Sequence, residues 1–141
     1  MAILLEKNFP VEAGAYETAG QASTVIKRTL KQLGVSAEML RRVSVACYEV
    51  ELNLVIHSDG GTLTLQMEPD RVTLISRDVG PGIPDIEKAM SEGFSTANEE
   101  ARTLGFGAGM GLPNMKRNAT DFDIQSEMGK GTTITMSFAL T

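Results

Sequence analysis

A chain of 141 residues, 42% hydrophobic and 22% charged, with a net charge of −5, has the composition of one soluble globular domain with a full core. Its acidic balance, with no basic run, argues against a nucleic-acid binder driven by phosphate contacts. No apolar stretch is long enough to span a bilayer and no signal-peptide pattern opens the chain, so no membrane partner and a cytoplasmic location are expected. Cys47 is the single cysteine, which excludes an internal disulfide, and one cysteine with one histidine argues against a zinc site.

Residues 2–10 begin apolar and turn charged, and read as an edge strand. From Tyr16 to Leu33 the apolar residues fall at 19, 22, 25, 26, 30 and 33, the period of an amphipathic helix, with Gly34 placed to stop it. Ser36 can cap a second helix from about Ala37 to about His57. Its core stripe is Leu40, Val43, Cys47, Val50 and Leu54. Glu49, Asn53 and His57 step by four along a neighbouring polar stripe, while Glu51 is expected to point away from Asn53. A carboxylate that works with Asn53 should therefore be Glu49, and substituting Glu51 should do little. The plain alternative for this stripe is a solvated face with i,i+4 contacts.

Gly60-Gly61 signals a turn, and residues 62–67 alternate. Pro69-Asp70 turns the chain again into Arg71–Asp78, so this pair reads as an antiparallel hairpin. Asp78 shares the parity of Val72 and Leu74 and so ends the strand on its buried face, where a carboxylate needs a partner. A bound adenine is one candidate and an internal hydrogen bond is the other. A short helix over Asp85–Glu92 follows, then a polar segment over 96–104 that reads as a mobile lid. A helix from about Leu112 to Ala119, with Pro113 in its first turn, leads to a final hairpin of Asp121–Glu127 and Thr132–Leu140. On the last strand Ile134, Met136, Phe138 and Leu140 face the core. These elements predict an α+β fold, a two-layer sandwich of a mixed, mostly antiparallel sheet with helices on one face.

Two glycine runs punctuate this order. Asp78 is followed by Gly80 and Gly82, where a backbone without Cβ can approach a ligand and the carboxylate can accept from an exocyclic amine. Gly105, Gly107, Gly109 and Gly111 open the helix at Leu112, and free N–H groups at a helix start suit a polyphosphate. Neither run matches a Walker lysine loop, and the Rossmann spacing fits poorly.

E-V-E-L-N at 49–53, D-V-G-P-G at 78–82, G-F-G-A-G-M-G-L at 105–112 and G-T-T at 131–133 together resemble the asparagine box, the two glycine boxes and the terminal threonine motif of the GHKL (Bergerat) ATP-binding fold. That superfamily includes gyrase B, Hsp90, MutL and histidine kinase catalytic domains, and the resemblance spans nearly the whole chain as a single domain. The wording from Pro81 to Thr96 and from Gly107 to Arg117 is most similar to the bacterial anti-sigma-factor serine kinases, above all the stressosome switch kinase.

The resemblance implies a protein serine/threonine kinase dependent on ATP and magnesium. Asp78 would hold the adenine amine, Gly80 and Gly82 would shape the pocket, and Thr133 would join through water. Asn53 would ligate magnesium, Glu49 would be the general base, and Gly105, Gly107, Gly109, Gly111 and Leu112 would form the phosphate site. The implied partners are a STAS-domain anti-anti-sigma or stressosome protein, then a sigma factor or phosphatase, with a homodimer left open. His57 falls near a histidine of some relatives, with a capping or core role as the alternative. The lid is longer and more acidic than that of the stressosome kinase, and its one cation, Arg102, either reaches a γ-phosphate or is solvated. A non-catalytic ATP-dependent binding switch is the competing function. A histidine kinase fragment is disfavoured, because the sole histidine lies on the helix of the ATP site.

Overall fold

The computed structural model describes residues 3–83, 85–90 and 111–140. Among the described residues five strands form the sheet: β1 (Leu5–Val11), β2 (Gly61–Glu68), β3 (Arg71–Asp78), β4 (Asp121–Glu127) and β5 (Gly131–Ala139). The described helices are α1 (Gln21–Gln32), α2 (Ala37–His57), α3 (Ile86–Ala89) and α4 (Gly111–Asn118). The lid, residues 96–104, lies outside the described residues, as do Gly105, Gly107 and Gly109.

The strand order is β1-β2-β3-β5-β4 and every pairing is antiparallel. The expected parallel element is missing from this sheet for a topological reason. The final hairpin docks on β3 through its second strand; β4, which runs in the same direction as β3, would have paired with it in parallel. Register then lines up the inner face in rows: Phe9, Leu63, Ser76, Ile134 and Ile124 form one, and Leu65, Leu74, Met136 and Phe122 the next. Ile26 and Leu30 of α1, Val43, Val50 and Leu54 of α2, and Met115 of α4 close over these rows in one buried cluster. The outer face is rich in hydroxyls, with Thr64, Ile75, Thr135 and Asp123 in one row. This is a two-layer sandwich with its helices on one side.

Most local expectations hold. The α2 helix covers the predicted span, with the Ser36 hydroxyl accepting from Met39 N–H at 3.3 Å. At the end of α1, Val35 N–H reaches Leu30 O and Gly34 N–H reaches Lys31 O, each at 3.1 Å, which pairs two carbonyls the helix leaves open. Cys47 is fully buried, and burial pushes its thiol up to about 12, so it remains a protonated part of the core.

The start of α1 differs from the periodicity reading. Tyr16–Thr18 forms a single tight 3-10 turn, Gly20 adopts φ 97°, and the α-helix begins at Gln21. The cause is Glu51, which is only 3% exposed. Its Oε2 accepts from the N–H of Gly20 (2.9 Å) and Ala22 (3.3 Å), and its Oε1 from Ser23 N–H (2.8 Å) and Ser23 Oγ (2.6 Å). A carboxylate from α2 thus caps α1 across the sequence, where the helix dipole favours negative charge. Far from being an idle outward acid, Glu51 ties the two helices together.

Glu51→Gln should therefore weaken the fold. Its amide NH2 would face N–H or O–H donors whichever way it turned, so part of the cap would be lost. The expected loss is roughly 1.5–3 kcal/mol, the value of charged hydrogen bonds in buried surroundings. Urea unfolding of the two proteins measures it, and an unchanged midpoint would remove the cap from the stability argument.

Candidate functional site

Strand β3 delivers Asp78 to the open end of the sheet, half-buried, on the face that carries Val72 and Leu74. Its Oδ1 accepts from Thr132 N–H at 2.8 Å, and Oδ2 accepts from no described residue. Gly131 makes this approach possible. A Cβ there would run into the Asp78 carbonyl oxygen and lie 3.0 Å from Oδ1, at a φ of 145° that side chains rarely adopt. Burial raises the carboxyl of Asp78 above its ordinary range; Thr132 N–H opposes this and the nearby Asp59 adds to it.

A hydroxyl network continues from this point. Thr132 Oγ1 lies 2.9 Å from Ser126 Oγ, and Ser126 Oγ accepts from Ile83 N–H at 2.7 Å. The first glycine loop is thereby latched to the final hairpin. Gly129 N–H donates to Pro81 O at 3.0 Å, and a Cβ at Gly82 would lie 2.7 Å from Glu127 O. On the other side Gly80 packs on Ser58 and Asp59, where an added Cβ would sit 3.3 Å from Asp59 N. A cleft of about 360 Å³ opens here, lined by Asp78, Ser126, Lys130, Gly131, Thr132 and Thr133.

The geometry revises the threonine. Strand alternation places Thr132, 6% exposed, on the face of Asp78 and of the core residues Ile134 and Met136. Thr133 pairs with Arg77 and Gln125 and turns to the opposite face. The parity that assigned Ile134, Met136 and Phe138 to the core already pointed to Thr132. Ser126 had no comparable signal, since its partner Ile83 is distant in sequence.

The second half of the site is built on α2. Glu49 is half-buried, and burial raises its carboxyl. Its Oε2 would lie 3.2 Å from a Cβ at Gly111, so the carboxylate abuts the first residue of α4. Leu112 is buried in the core and anchors that first turn. Asn53 follows one helical turn along, half-buried. The end of α2 is joined to the end of β3 by Asp59 N–H to Val79 O (2.8 Å) and Val79 N–H to Gly60 O (3.0 Å). The Glu49–Asn53 stripe and the Asp78 cleft are thus mounted on one rigid corner.

Among the described residues no group of three His, Cys, Asp or Glu side chains gathers to hold a metal. The hard side-chain oxygen of Asn53 suits an ion that takes most of its ligands from phosphates and water, as magnesium does.

Residues 39–141 match the family of histidine kinase-, DNA gyrase B- and HSP90-like ATPases. The chain is similar to the serine/threonine-protein kinase RsbT of Bacillus subtilis, 34% identical over 112 residues that cover 77% of this chain and 78% of that one. It is similar also to the anti-sigma F factor of a Thermoanaerobacter species, 33% identical over 121 residues covering 82% and 81%. Among solved structures, the catalytic domain of the histidine kinase ThkA superposes with a TM-score of 0.56 over 98% of this chain and 97% of that one, at 16% identity. By that match over residues 39–141, and by identity to relatives over most of its length, the chain belongs to the histidine kinase-, DNA gyrase B- and HSP90-like ATPase family.

Proposed function

We propose that this protein is an ATP- and magnesium-dependent protein serine/threonine kinase that phosphorylates a STAS-domain regulator in a bacterial partner-switching pathway. The observation that carries the reading is Glu49, a half-buried carboxylate set against the first turn of α4, with Asn53 one turn away and the Asp78 cleft on the same corner. The similarity to RsbT and to anti-sigma F factors supports it.

In this reading the free Oδ2 of Asp78 accepts from the adenine amine, and Thr132 supplies a second polar contact. Asn53 holds magnesium, which neutralises phosphate charge when bound. Gly111, with the glycines at 105, 107 and 109, forms the phosphate side. Glu49 takes the proton from the substrate hydroxyl as its oxygen bonds to the γ-phosphorus and the bond to the β–γ bridging oxygen breaks, leaving ADP. Phosphoryl transfer needs positioning and charge stabilisation more than covalent catalysis, so this set suffices.

Asp78→Asn tests the cleft. Asparagine keeps an oxygen for Thr132 N–H, so the fold should persist, but the second acceptor becomes an NH2 that faces the adenine amine. ATP affinity should fall by roughly 1.5–3 kcal/mol. Thr132→Val should also weaken binding, and Thr133→Val should not. Calorimetry giving equal affinities for Asp78→Asn and wild type would remove the base pocket.

Glu49→Gln tests the base. Phosphotransfer should be lost while ATP still binds, and the wild-type rate should fall with acid through a pKa above the ordinary carboxylate range. The folded protein holds the Glu49 proton to higher pH than the unfolded chain, so ionising it weakens the fold as pH rises through that window. Glu49→Gln removes that cost and should be at least as stable as wild type at pH 7. A stable variant that still transfers phosphate at the wild-type rate would remove Glu49 as the base, whereas a wild type that binds ATP and transfers no phosphate would leave only the non-catalytic ATP-dependent switch.

A further inference from the structure

A second groove lies apart from the Asp78 cleft. It lies between α1 and α2, about 620 Å³ in volume, on the side of α2 away from α4. Val25, Ser44 and the ring of Tyr48 line it together with Lys27 and Arg28. Tyr48 is 40% exposed, and Val45 beside it is also exposed, so apolar surface is presented to solvent on this face. Lys31 lies one turn further along α1, and Arg41 one turn before Val45 on α2.

Charge sets this region apart from the rest of the molecule. Residues 20–48 contain Lys27, Arg28, Lys31, Arg41 and Arg42 against a single acid, Glu38, within a chain of net charge −5. Arg42 is engaged, its Nε donating to the last carbonyl of α4, Asn118 O, at 2.9 Å. Lys27, Arg28, Lys31 and Arg41 make no ion pair among the described residues. A flat anionic surface would meet the acids that dominate the remaining faces. An open groove with an apolar wall and a cationic rim fits one extended or helical segment of protein that carries acids beside an apolar side chain.

We infer that the α1–α2 groove is a docking site for an acidic, amphipathic segment of the protein substrate, separate from the ATP site. The inference rests on the kinase reading and adds how the substrate is held. Tyr48 and Glu49 are consecutive on α2 and point about 100° apart. A segment seated against Tyr48 therefore lies next to the proposed base without obstructing the phosphates. The apolar side chain packs on Tyr48 and Val25, and the acids face Lys27, Arg28 and Lys31.

The double variant Lys27→Glu, Arg28→Glu tests this with a STAS-domain protein that wild type phosphorylates. Both side chains are exposed on α1, so the helix should persist. The KM for the protein substrate should rise about tenfold or more, with kcat and the KM for ATP unchanged. Added salt should raise the wild-type KM and leave that of the variant nearly constant. The conservative pair Lys27→Arg, Arg28→Lys should keep the wild-type KM. An unchanged protein KM in the charge-reversed variant, or a parallel loss of ATP affinity, would overturn the inference.

If wild type phosphorylates no STAS protein, the kinase reading fails by itself. The groove is then tested by a photo-crosslinking residue at position 48 with the same proteins and ATP. Capture through an acidic segment, lost in the double variant, upholds the groove; no crosslink, or one insensitive to charge reversal, overturns it.

Discussion

The Glu51 carboxylate, buried in the joint between α1 and α2, is the constraint on which the helical layer depends. It is surrounded by four donors from residues 20–23, and each would otherwise be an unpaired polar group at a buried helix start. Two residues earlier on the same helix, Glu49 faces the start of α4. Positions two apart on a helix diverge by about 200°, so one helix presents a carboxylate to each of two neighbours. The first carboxylate is saturated by hydrogen bonds and holds architecture. The second is half-buried beside a glycine, and remains available for chemistry.

The same division appears at the open end of the sheet. Asp78 spends one oxygen on Thr132 N–H and keeps the other free, while Ser126 joins Thr132 to the backbone of the first glycine loop. A polar cluster at the edge of an apolar core is costly unless its members satisfy one another, and here they do. No buried side-chain nitrogen or oxygen lacks a partner among the described residues. The Asp78 side of the cleft is therefore carried on strand ends and clamped turns, rigid elements that hold Asp78 in place.

The relation between these two halves suits the proposed two-substrate reaction. Backbone hydrogen bonds between residues 59–60 and Val79 fuse the end of α2 to the end of β3, so the proposed base and the proposed adenine acceptor cannot drift apart. The opposite side of α2 stays open toward α1, where cations gather on an acidic protein. A fold shared with a histidine kinase catalytic domain at 16% identity keeps the sheet and its helical cover while leaving such surfaces free to differ.

Local chemistry made much of this legible in the sequence. The span of α2, its Ser36 cap, the β2–β3 hairpin and the inward parity of Asp78 all follow from interactions within a few residues, which periodicity and turn residues encode directly. The motif order around Glu49, Asn53, Asp78 and Gly111 was readable through its resemblance to the GHKL ATP-binding fold. Other features belong to the tertiary structure alone. The start of α1 was set by a carboxylate 28 residues away from Ser23, and no helical period records a cap delivered from another element. The docking of β5 rather than β4 on β3 is a choice between two hairpin strands of similar pattern, settled by where the chain returns. Thr132 is bound to Asp78 across 54 residues, and only the strand register separates it from Thr133. The charge of residues 20–48 was present in the sequence, but its meaning depended on two helices packing to leave a groove, because a surface exists only once distant residues have been brought side by side.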